Sequence, residues 1–186
     1  NKEAVLHLIE KYQPDQIYHL AAQSSAAVSF TQPEQTLITN ITGELHLLEA
    51  VRSLKLLQTR MIVISSSDIY GLVSGKDLPV TETTSLRPLN TYAVSKIAQD
   101  YLALQYHLSH KLDVIMIRAF NHTGPGQKEQ FVIPAFAKQI AEIEKGKQEA
   151  VLSVGNLDAK RDFTDVRDIV RAYVLAMDKG ASGEVY

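Results

Sequence analysis

Three short apolar segments, each running into small or polar residues, constrain the fold of this chain more than any other feature. The segments are residues 16–21, 61–65 and 113–120. Apolar residues recur at helical spacing in the stretches 2–12, 40–56, 92–110, 131–145 and 165–179. Strands that are apolar on both faces and alternate with helices are typical of a parallel sheet covered on both sides. The pattern therefore predicts an α/β fold, with a further short strand at 151–154 and loops at 72–90 and 121–130.

The composition excludes several classes of protein. The 186 residues carry 19 Lys and Arg against 21 Asp and Glu, so a basic nucleic-acid-binding surface is not expected. No apolar run approaches the roughly 20 residues that cross a bilayer, and no signal peptide begins the chain, so we expect no membrane partner. Cysteine is absent, which excludes disulfides and thiolate chemistry and fits a cytoplasmic protein. The six histidines show no ligand spacing with carboxylates, so no metal is expected.

Ligands of open parallel sheets bind beyond the carboxyl ends of the strands. The three predicted strands run into residues 21–25, 65–68 and 120–122, which are small or polar in each case. Three such ends together favour a lined crevice over ordinary solvated loops.

Tyr92 and Lys96 are four residues apart at the start of a predicted helix and therefore share one helix face. An ammonium beside a phenol favours the phenolate, so we expect Lys96 to lower the pKa of Tyr92 towards neutrality. A phenol with such a pKa can exchange a proton near pH 7. This spacing alone is more often a surface pair, but a serine cluster, Ser65 to Ser67, ends the preceding predicted strand and offers a hydroxyl to a carbonyl oxygen.

Five motifs stand in one order along the chain: HLAAQSS at 19–25, NITG at 40–43, SSSDIYG at 65–71, YAVSK at 92–96 and RAFNHTGPGQ at 118–127. In this order they resemble the extended short-chain dehydrogenase/reductase family, the NAD-dependent epimerases and dehydratases. The resemblance covers the whole chain. It implies a Rossmann-type doubly wound sheet that binds NADP or NAD, with NADPH preferred, and an oxidoreductase of nucleotide sugars.

RAFNHTGPGQ and VGNLDAKRDF, at 154–163, resemble the GDP-mannose group of this family, and RDFTDVRD at 161–168 resembles its reductases. The resemblance implies reduction of the C4 ketone of GDP-4-keto-6-deoxy-D-mannose, a GDP-linked deoxyhexose, to GDP-D-rhamnose. The alternatives are a GDP-mannose 4,6-dehydratase or another sugar-nucleotide epimerase. The dehydratases carry Glu where Asp68 stands, and Asp is one methylene shorter as a base.

The resemblance also implies a role for individual residues. The catalytic residues would be Ser66, Asp68, Tyr92 and Lys96. The cofactor would contact Leu20, Ala21, Ala22, Gln23, Asn40, Ile64, Ser65, Tyr92, Lys96 and His122. The substrate would contact Ser25, Ser66, Ser67, Asn121 and Arg161. For three residues a structural role is equally open: Asp68 could cap a turn, Asn40 could cap the following helix, and Arg161 could pair with Asp162 or Asp165.

The Gly-x-x-Gly-x-x-Gly turn that cradles a dinucleotide pyrophosphate does not occur in these residues. We therefore expect a fold truncated at its N-terminus, with a partial dinucleotide-binding domain at 1–121 and 163–186. Residues 122–162 would form part of a small substrate-binding lobe. A fragment that binds dinucleotide without turnover is a further alternative. The family also implies a homodimer through the helices at 40–56 and 92–110.

Overall fold

The computed structural model describes all residues from Asn1 to Tyr186. They form two compact units, one of Asn1–Ala119 with Ala172–Tyr186 and one of Phe120–Arg171. The second unit was predicted at 122–162, so the predicted start lies two residues and the predicted end nine residues inside the limits of the unit that the structure has. The assignment of cofactor to one part and substrate to the other stays a prediction.

Helices and strands alternate through most of the chain. The α-helices are α1 (Lys2–Tyr12), α2 (Ala26–Thr31), α3 (Pro33–Leu37), α4 (Gly43–Ser53), α5 (Thr91–His110), α6 (Val132–Glu144) and α7 (Val166–Lys179). The strands are β1 (Gln16–His19), β2 (Arg60–Ile64), β3 (Asp113–Ile117), β4 (Asn121–Thr123) and β5 (Phe163–Asp165).

The first unit is built on a parallel sheet in the order β1-β2-β3. Side chains alternate across a strand, so Met61 and Val63 face one layer of helices while Ile62 faces the other. The first layer packs α1, α4 and α5 against the sheet, and Leu48 and Ala103 are fully buried there. These contacts confirm the predicted α/β fold.

The second face of the same sheet is covered by α7. Met177 packs there against Ile62 and Ile115, and all three side chains are almost fully buried. Burying one such side chain stabilises a fold by about 1.5–3 kcal/mol. Arg60 fixes the end of α7, because its guanidinium donates to the carbonyls of Met177 at 2.9 Å and Gly180 at 3.2 Å.

Residues 183–186 run alongside β3, where Met116 and Val185 form a parallel bridge. The amide of Tyr186 donates to the carbonyl of Met116 at 3.0 Å, and the amide of Arg118 donates to the carbonyl of Tyr186 at 2.8 Å.

One wide π-helical turn, Ile38–Thr42, joins α3 and α4 into a continuous helical segment. The prediction placed a single helix at 40–56, whereas the helical segment begins at Pro33 and ends at Ser53. Wide turns of this kind are frequent at functional sites. This one contains the NITG motif and buries Asn40 completely.

The second unit contains the parallel pair β4 and β5 and the amphipathic helix α6. Gly124 lies against Val166, and a Cβ at Gly124 would stand 2.3 Å from Cγ1 of that valine. The loop predicted at 121–130 is wrong at its start, because Asn121–Thr123 pair with Phe163–Asp165.

The strand predicted at 151–154 is also wrong. Val151 is 64% exposed and Val154 45% exposed, and no neighbouring strand pairs with them. Instead the side chain of Gln139 binds the backbone of Ser153, accepting from its amide at 2.7 Å. An apolar run forms a strand only where a partner offers backbone hydrogen bonds, and this one has none.

Candidate active site

Tyr92 and Ser66 form the centre of the site, beyond the carboxyl end of β2. Tyr92 lies in the first turn of α5, which Asn90 caps by accepting from the amide of Ala93 at 2.8 Å. The phenol is 8% exposed, and its hydroxyl lies beside the hydroxyl of Ser66. Ser66 is itself fixed, because its oxygen accepts from the amide of Asp68 at 3.2 Å. A carbonyl oxygen placed between the two hydroxyls could accept a hydrogen bond from both.

Burial raises the pKa of the Tyr92 phenol above 10, and the negative charge of Asp68 raises it further, while the hydrogen bond from Ser66 opposes both. The expectation that Lys96 lowers the pKa of Tyr92 towards neutrality is therefore wrong. Tyr92 carries its proton at pH 7, which is the form that can act as a proton donor.

Lys96 lies 5% exposed one helical turn after Tyr92. Its ammonium donates to the backbone carbonyl of Ile64 at 2.7 Å and stands 5.8 Å from the centre of the Tyr92 ring. Burial lowers the pKa of Lys96 to about 8, and the carboxyl groups of Glu44 and Asp100 oppose this shift. Lys96 thus binds the end of β2 rather than the phenol oxygen.

A buried ion pair below Lys96 was not predicted from the sequence. Arg118, just after β3, donates to Asp100 of α5 at 2.7 Å, and the two side chains are 9% and 4% exposed. Ser65 lies close to Asp100, and its hydroxyl donates to the carbonyl of Lys96 at 3.3 Å. This bond joins the serine cluster to the helix that carries the catalytic candidates. Asp100 follows Lys96 by four residues, and this shared helix face was the available signal.

The same guanidinium fixes the turn that carries Asp68. Arg118 donates to the hydroxyl of Tyr70 at 3.1 Å and to the carbonyl of Glu82 at 2.8 Å. Residues Ser67–Tyr70 form a short 3-10 turn, and the amide of Ser67 donates to the carbonyl of Ala119 at 2.9 Å. Asp68 thus lies within a turn held at both ends, while its charge acts on Tyr92.

Asn40 holds the segment that follows β1. Its carbonyl oxygen accepts from the amide of Gln23 at 2.7 Å, and its amide nitrogen donates to the carbonyl of Gln23 at 3.1 Å and to the hydroxyl of Ser95 at 2.8 Å. The alternative that Asn40 caps the following helix is wrong, because the side chain makes these three bonds inside the π-helical turn.

The other residues of this segment are more open. Leu20 is 61% exposed and Ala21 is exposed, while Ala22 is half-buried. Ser25 caps α2, because its hydroxyl accepts from the amide of Val28 at 3.3 Å. Its predicted contact with substrate stays a prediction.

Three predicted ligand contacts belong to the second unit. Asn121 and His122 lie half-buried in β4, and a ring nitrogen of His122 is 3.0 Å from the carbonyl of Phe120. Arg161 is exposed and donates to the carbonyl of Lys160 at 2.8 Å. It forms no ion pair with Asp162 or Asp165, so the structural alternative for Arg161 is wrong. Asp165 pairs with Arg167 instead, at 2.6 Å.

No group of three or more potential metal-ligating side chains occurs in the structure. None of its helices has the length and apolar character needed to cross a membrane.

A family model described as GDP-mannose 4,6 dehydratase matches residues 1–186. A GDP-6-deoxy-D-mannose reductase from Pseudomonas aeruginosa is 42% identical over 173 residues, which cover 93% of this chain and 57% of the reductase. A GDP-mannose 4,6-dehydratase from Sinorhizobium fredii is 36% identical over 181 residues, which cover 97% of this chain and 51% of that enzyme. The chain thus spans somewhat more than half the length of these two relatives.

Solved structures agree with these similarities. RMD from Pseudomonas aeruginosa, complexed with NADPH, matches with a TM-score of 0.95 and 39% identity, covering 100% of this chain and 62% of that one. The dTDP-glucose 4,6-dehydratase DesIV from Streptomyces venezuelae, a double mutant with NAD and DAU bound, matches with a TM-score of 0.85 and 28% identity. That match covers 100% of this chain and 54% of the other. The chain therefore belongs to the GDP-mannose 4,6 dehydratase family, among the Rossmann-type NAD-dependent epimerases and dehydratases.

Proposed function

We propose that the full-length protein is an NAD(P)-dependent reductase of a nucleotide sugar, which converts GDP-4-keto-6-deoxy-D-mannose to GDP-D-rhamnose. The observation that carries this proposal is the buried phenol of Tyr92, whose pKa is raised by burial, beside the hydroxyl of Ser66. Reduction of a ketone needs a hydride at carbon and one proton at oxygen. Tyr92 can donate that proton, and Ser66 can donate a hydrogen bond to the oxygen that receives it.

The residues at the ends of β1 and β2 fit the nicotinamide part of a dinucleotide. Ala21 and Ala22 have no side chain beyond Cβ, so the backbone is open to close approach, and Asn40 holds the next residue, Gln23, rigidly. The ammonium of Lys96 donates one N–H group to the carbonyl of Ile64, so its other N–H groups can donate to a ribose hydroxyl. When bound, the reduced dinucleotide supplies the hydride. We propose NADPH first, since the Pseudomonas aeruginosa structure contains it.

In this proposal the chain's own residues act in sequence. Ser66 donates its hydrogen bond to the C4 oxygen and orients the ketone. Tyr92 then transfers its proton to that oxygen as the C–O double bond is reduced, and a phenolate remains. The charge of Lys96, on the same helix face, stabilises the phenolate until it is reprotonated.

The remaining contacts are proposed from the family resemblance and from the chemistry of each side chain. Arg161 makes no ion pair, so its guanidinium is free to bind phosphate oxygens of the GDP group in a bidentate manner. Asn121 and Ser67 are proposed to contact the sugar, and His122 the nicotinamide.

A GDP-mannose 4,6-dehydratase is the second candidate, favoured by the family model and by the Sinorhizobium fredii relative. That reaction needs a carboxylate base for the C5 proton, and only Asp68 stands at the matching position. We prefer the reductase because Ser66, Tyr92 and Lys96 suffice for it. A non-catalytic dinucleotide-binding protein is the third candidate.

The test supplies the full-length protein with GDP-4-keto-6-deoxy-D-mannose and NADPH or NADH. One cofactor oxidised per sugar, with little reaction of GDP-mannose alone, supports the reductase. Formation of the 4-keto-6-deoxy sugar from GDP-mannose alone replaces the reductase with the dehydratase. Binding of dinucleotide without turnover of either sugar supports the third candidate.

We also propose a homodimer in which α5 packs against its counterpart. Val94, Tyr101 and Leu108 are 45%, 57% and 60% exposed and follow one another at seven-residue intervals. Ile97 and Leu104, half-buried, lie between them at the positions that complete a heptad pattern. Such an apolar stripe is typical of a helix that packs along another helix.

A further inference from the structure

One acid close to the Tyr92–Lys96 pair has no place in the proposed reaction. Glu44 lies in the first turn of α4, one turn after Asn40 and one turn before Leu48, and its side chain is 0% exposed. Helix α4 and the preceding π-helical turn pack against α5, which carries Lys96. A carboxyl group buried completely among helices needs partners for its oxygens.

The two carboxyl oxygens of Glu44 lack hydrogen-bond donors. Neither carboxyl oxygen of Glu44 accepts a hydrogen bond of acceptable geometry, although the amide group of Gln99 lies beside it. The carbonyl oxygen of Gln99 and one oxygen of Asp100 are also buried without a donor. All four unpartnered atoms are acceptors, so the cluster is short of donors. A proton on Glu44 provides one, because its O–H can donate to Gln99 and satisfy two groups at once.

The charged groups around Glu44 come from three elements. Lys96 and Asp100 belong to α5, and Arg118, which follows β3, is paired with Asp100. His19 at the end of β1 lies beyond Gln99, with 3.5 Å between its ring nitrogen and the amide nitrogen of Gln99. Burial, together with the charge of Lys96, lowers the pKa of His19 to about 4, so the ring is neutral at pH 7.

Burial likewise raises the pKa of Glu44 well above its usual value of 4.5, and the charge of Asp100 adds to this, while Gln99 and Lys96 oppose it. Two interacting groups of this kind lose their protons in coupled steps. Attraction between opposite charges favours loss of the first proton from Glu44, because its carboxylate would then face the ammonium of Lys96.

We propose that Glu44 is a positioning residue, a buried acid that keeps its proton at pH values where an exposed glutamate has lost it and releases it to solvent before Lys96 does. While Glu44 is neutral it leaves the charge of Lys96 undiminished, so that charge can stabilise the phenolate of Tyr92. At higher pH the O–H bond of Glu44 breaks, and the carboxylate then holds the proton on Lys96. The role in Lys96 function rests on the proposed reaction, whereas the protonation of Glu44 does not.

The first experiment measures the stability of the full-length protein and of Glu44→Gln between pH 5 and 8. A carboxyl whose folded-state pKa lies above its unfolded value is protonated in the folded state and ionised in the unfolded one, so wild-type stability falls as pH rises above 4.5. Glutamine has no such proton. The ratio of folding equilibrium constants, variant over wild type, should therefore rise with pH, by up to about tenfold per pH unit.

Glu34→Gln is the matched control, because Glu34 is exposed and the same charge is removed. Its ratio should stay flat across the same range. A flat ratio for Glu44→Gln would mean that folding does not perturb the carboxyl, and a ratio that falls with pH would mean that Glu44 is ionised and paired in the folded state. Either result overturns the proposal.

The second experiment records kcat/KM against pH with the ketone substrate and reduced cofactor. In Glu44→Gln the alkaline limb should move to lower pH by about one unit, because Lys96 loses the carboxylate that would form beside it. If the alkaline limb of kcat/KM does not move in Glu44→Gln while the ratio of folding equilibrium constants rises with pH, Glu44 does not hold the charge of Lys96 and that role is overturned. If no sugar is reduced at any pH but the stability ratio still rises, the proposed reaction fails and the protonation of Glu44 stands.

Discussion

The buried pair Arg118–Asp100 offers the sharpest test of how the site is held together. We expect Arg118→Met to destabilise the full-length protein strongly and the double variant Arg118→Met/Asp100→Asn to be more stable than the single one. Methionine keeps most of the length of the arginine side chain but removes its charge and its donors. The single change therefore leaves Asp100 buried, 4% exposed, with no cation at 2.7 Å.

The magnitude follows from burial and from the bonds that are lost. Removing one partner of a buried pair costs about 3–5 kcal/mol, since the remaining charge is uncompensated. Loss of the donors to Tyr70 and Glu82, at 3.1 and 2.8 Å, contributes on the order of 1 kcal/mol each. We therefore expect about 5 kcal/mol for the single variant. Neutralising Asp100 in the double variant should recover about 2 kcal/mol of this loss.

The assay is urea denaturation at pH 7, followed by far-UV circular dichroism. Arg171→Met is the control, since Arg171 pairs with Asp168 on the surface, where both side chains are more than half exposed. It should change the midpoint little. A double variant as unstable as Arg118→Met, or more so, would refute the view that an unpaired buried charge causes the loss.

Three further predictions concern the site, its supporting turn and the dimer. Tyr92→Phe should lower kcat for ketone reduction by about 10²–10⁴-fold while nucleotide-sugar binding survives, and a rate within tenfold of wild type would contradict its role as acid. Gly71→Ala should destabilise the protein by about 2 kcal/mol in the same denaturation assay. The reason is that Gly71 has a φ of +63° and that a Cβ there would lie 1.9 Å from the carbonyl oxygen of Arg87. Gly75→Ala is the control and should leave the stability unchanged, because a Cβ at Gly75 would meet open space. Tyr101→Glu should convert the proposed dimer to a monomer in light scattering, and a wild-type protein that is already monomeric would exclude that interface.

The sequence predicted those helices and strands that can be recognised from the apolar pattern of their own residues. Residues 2–12 and 92–110 were expected as helices, and the structure has α1 at Lys2–Tyr12 and α5 at Thr91–His110. The strands at the centre of the sheet were also found, within a few residues. They are buried on both faces, so their composition alone distinguishes them.

Elements that depend on a distant partner were not predicted correctly. Asn121–Thr123 is a strand only because Phe163–Asp165 lies beside it, and neither segment has an apolar run of its own. The opposite error occurred at residues 151–154, whose apolar composition is typical of a strand although no neighbour pairs with it. The short helices α2 and α3 lack enough residues for a periodic pattern to be recognised.

The same distinction applies to the site. Tyr92, Lys96 and Ser66 were identified from spacing and motif, and Asn40 from the motif NITG. The structure adds that Asn40 holds the backbone of Gln23. The pKa of Tyr92 could not be predicted from spacing, because burial and the position of Asp68 decide it. Asp100 and Glu44 were missed because a carboxylate in a helix usually faces solvent, and only the packing shows that these two do not.

The wide turn between α3 and α4 has a consequence for how this segment tolerates insertions and deletions. Thr36, Asn40, Glu44 and Leu48 are all 0% exposed and are spaced four residues apart. In a regular α-helix each step of four residues drifts by about 40° around the axis, so three steps would turn the last side chain far from the first. The π-helical turn at Ile38–Thr42 takes up this drift and keeps all four on one side. Deleting one residue within the turn would restore a regular helix in which Thr36 and Leu48 still lie within about 20° of each other around the axis, so α3 and α4 would keep their orientation. Deleting one residue from α3 or α4 would instead rotate one side of the segment by about 100°. The lengths of α3 and α4 should therefore be more constrained among relatives than the length of the turn between them.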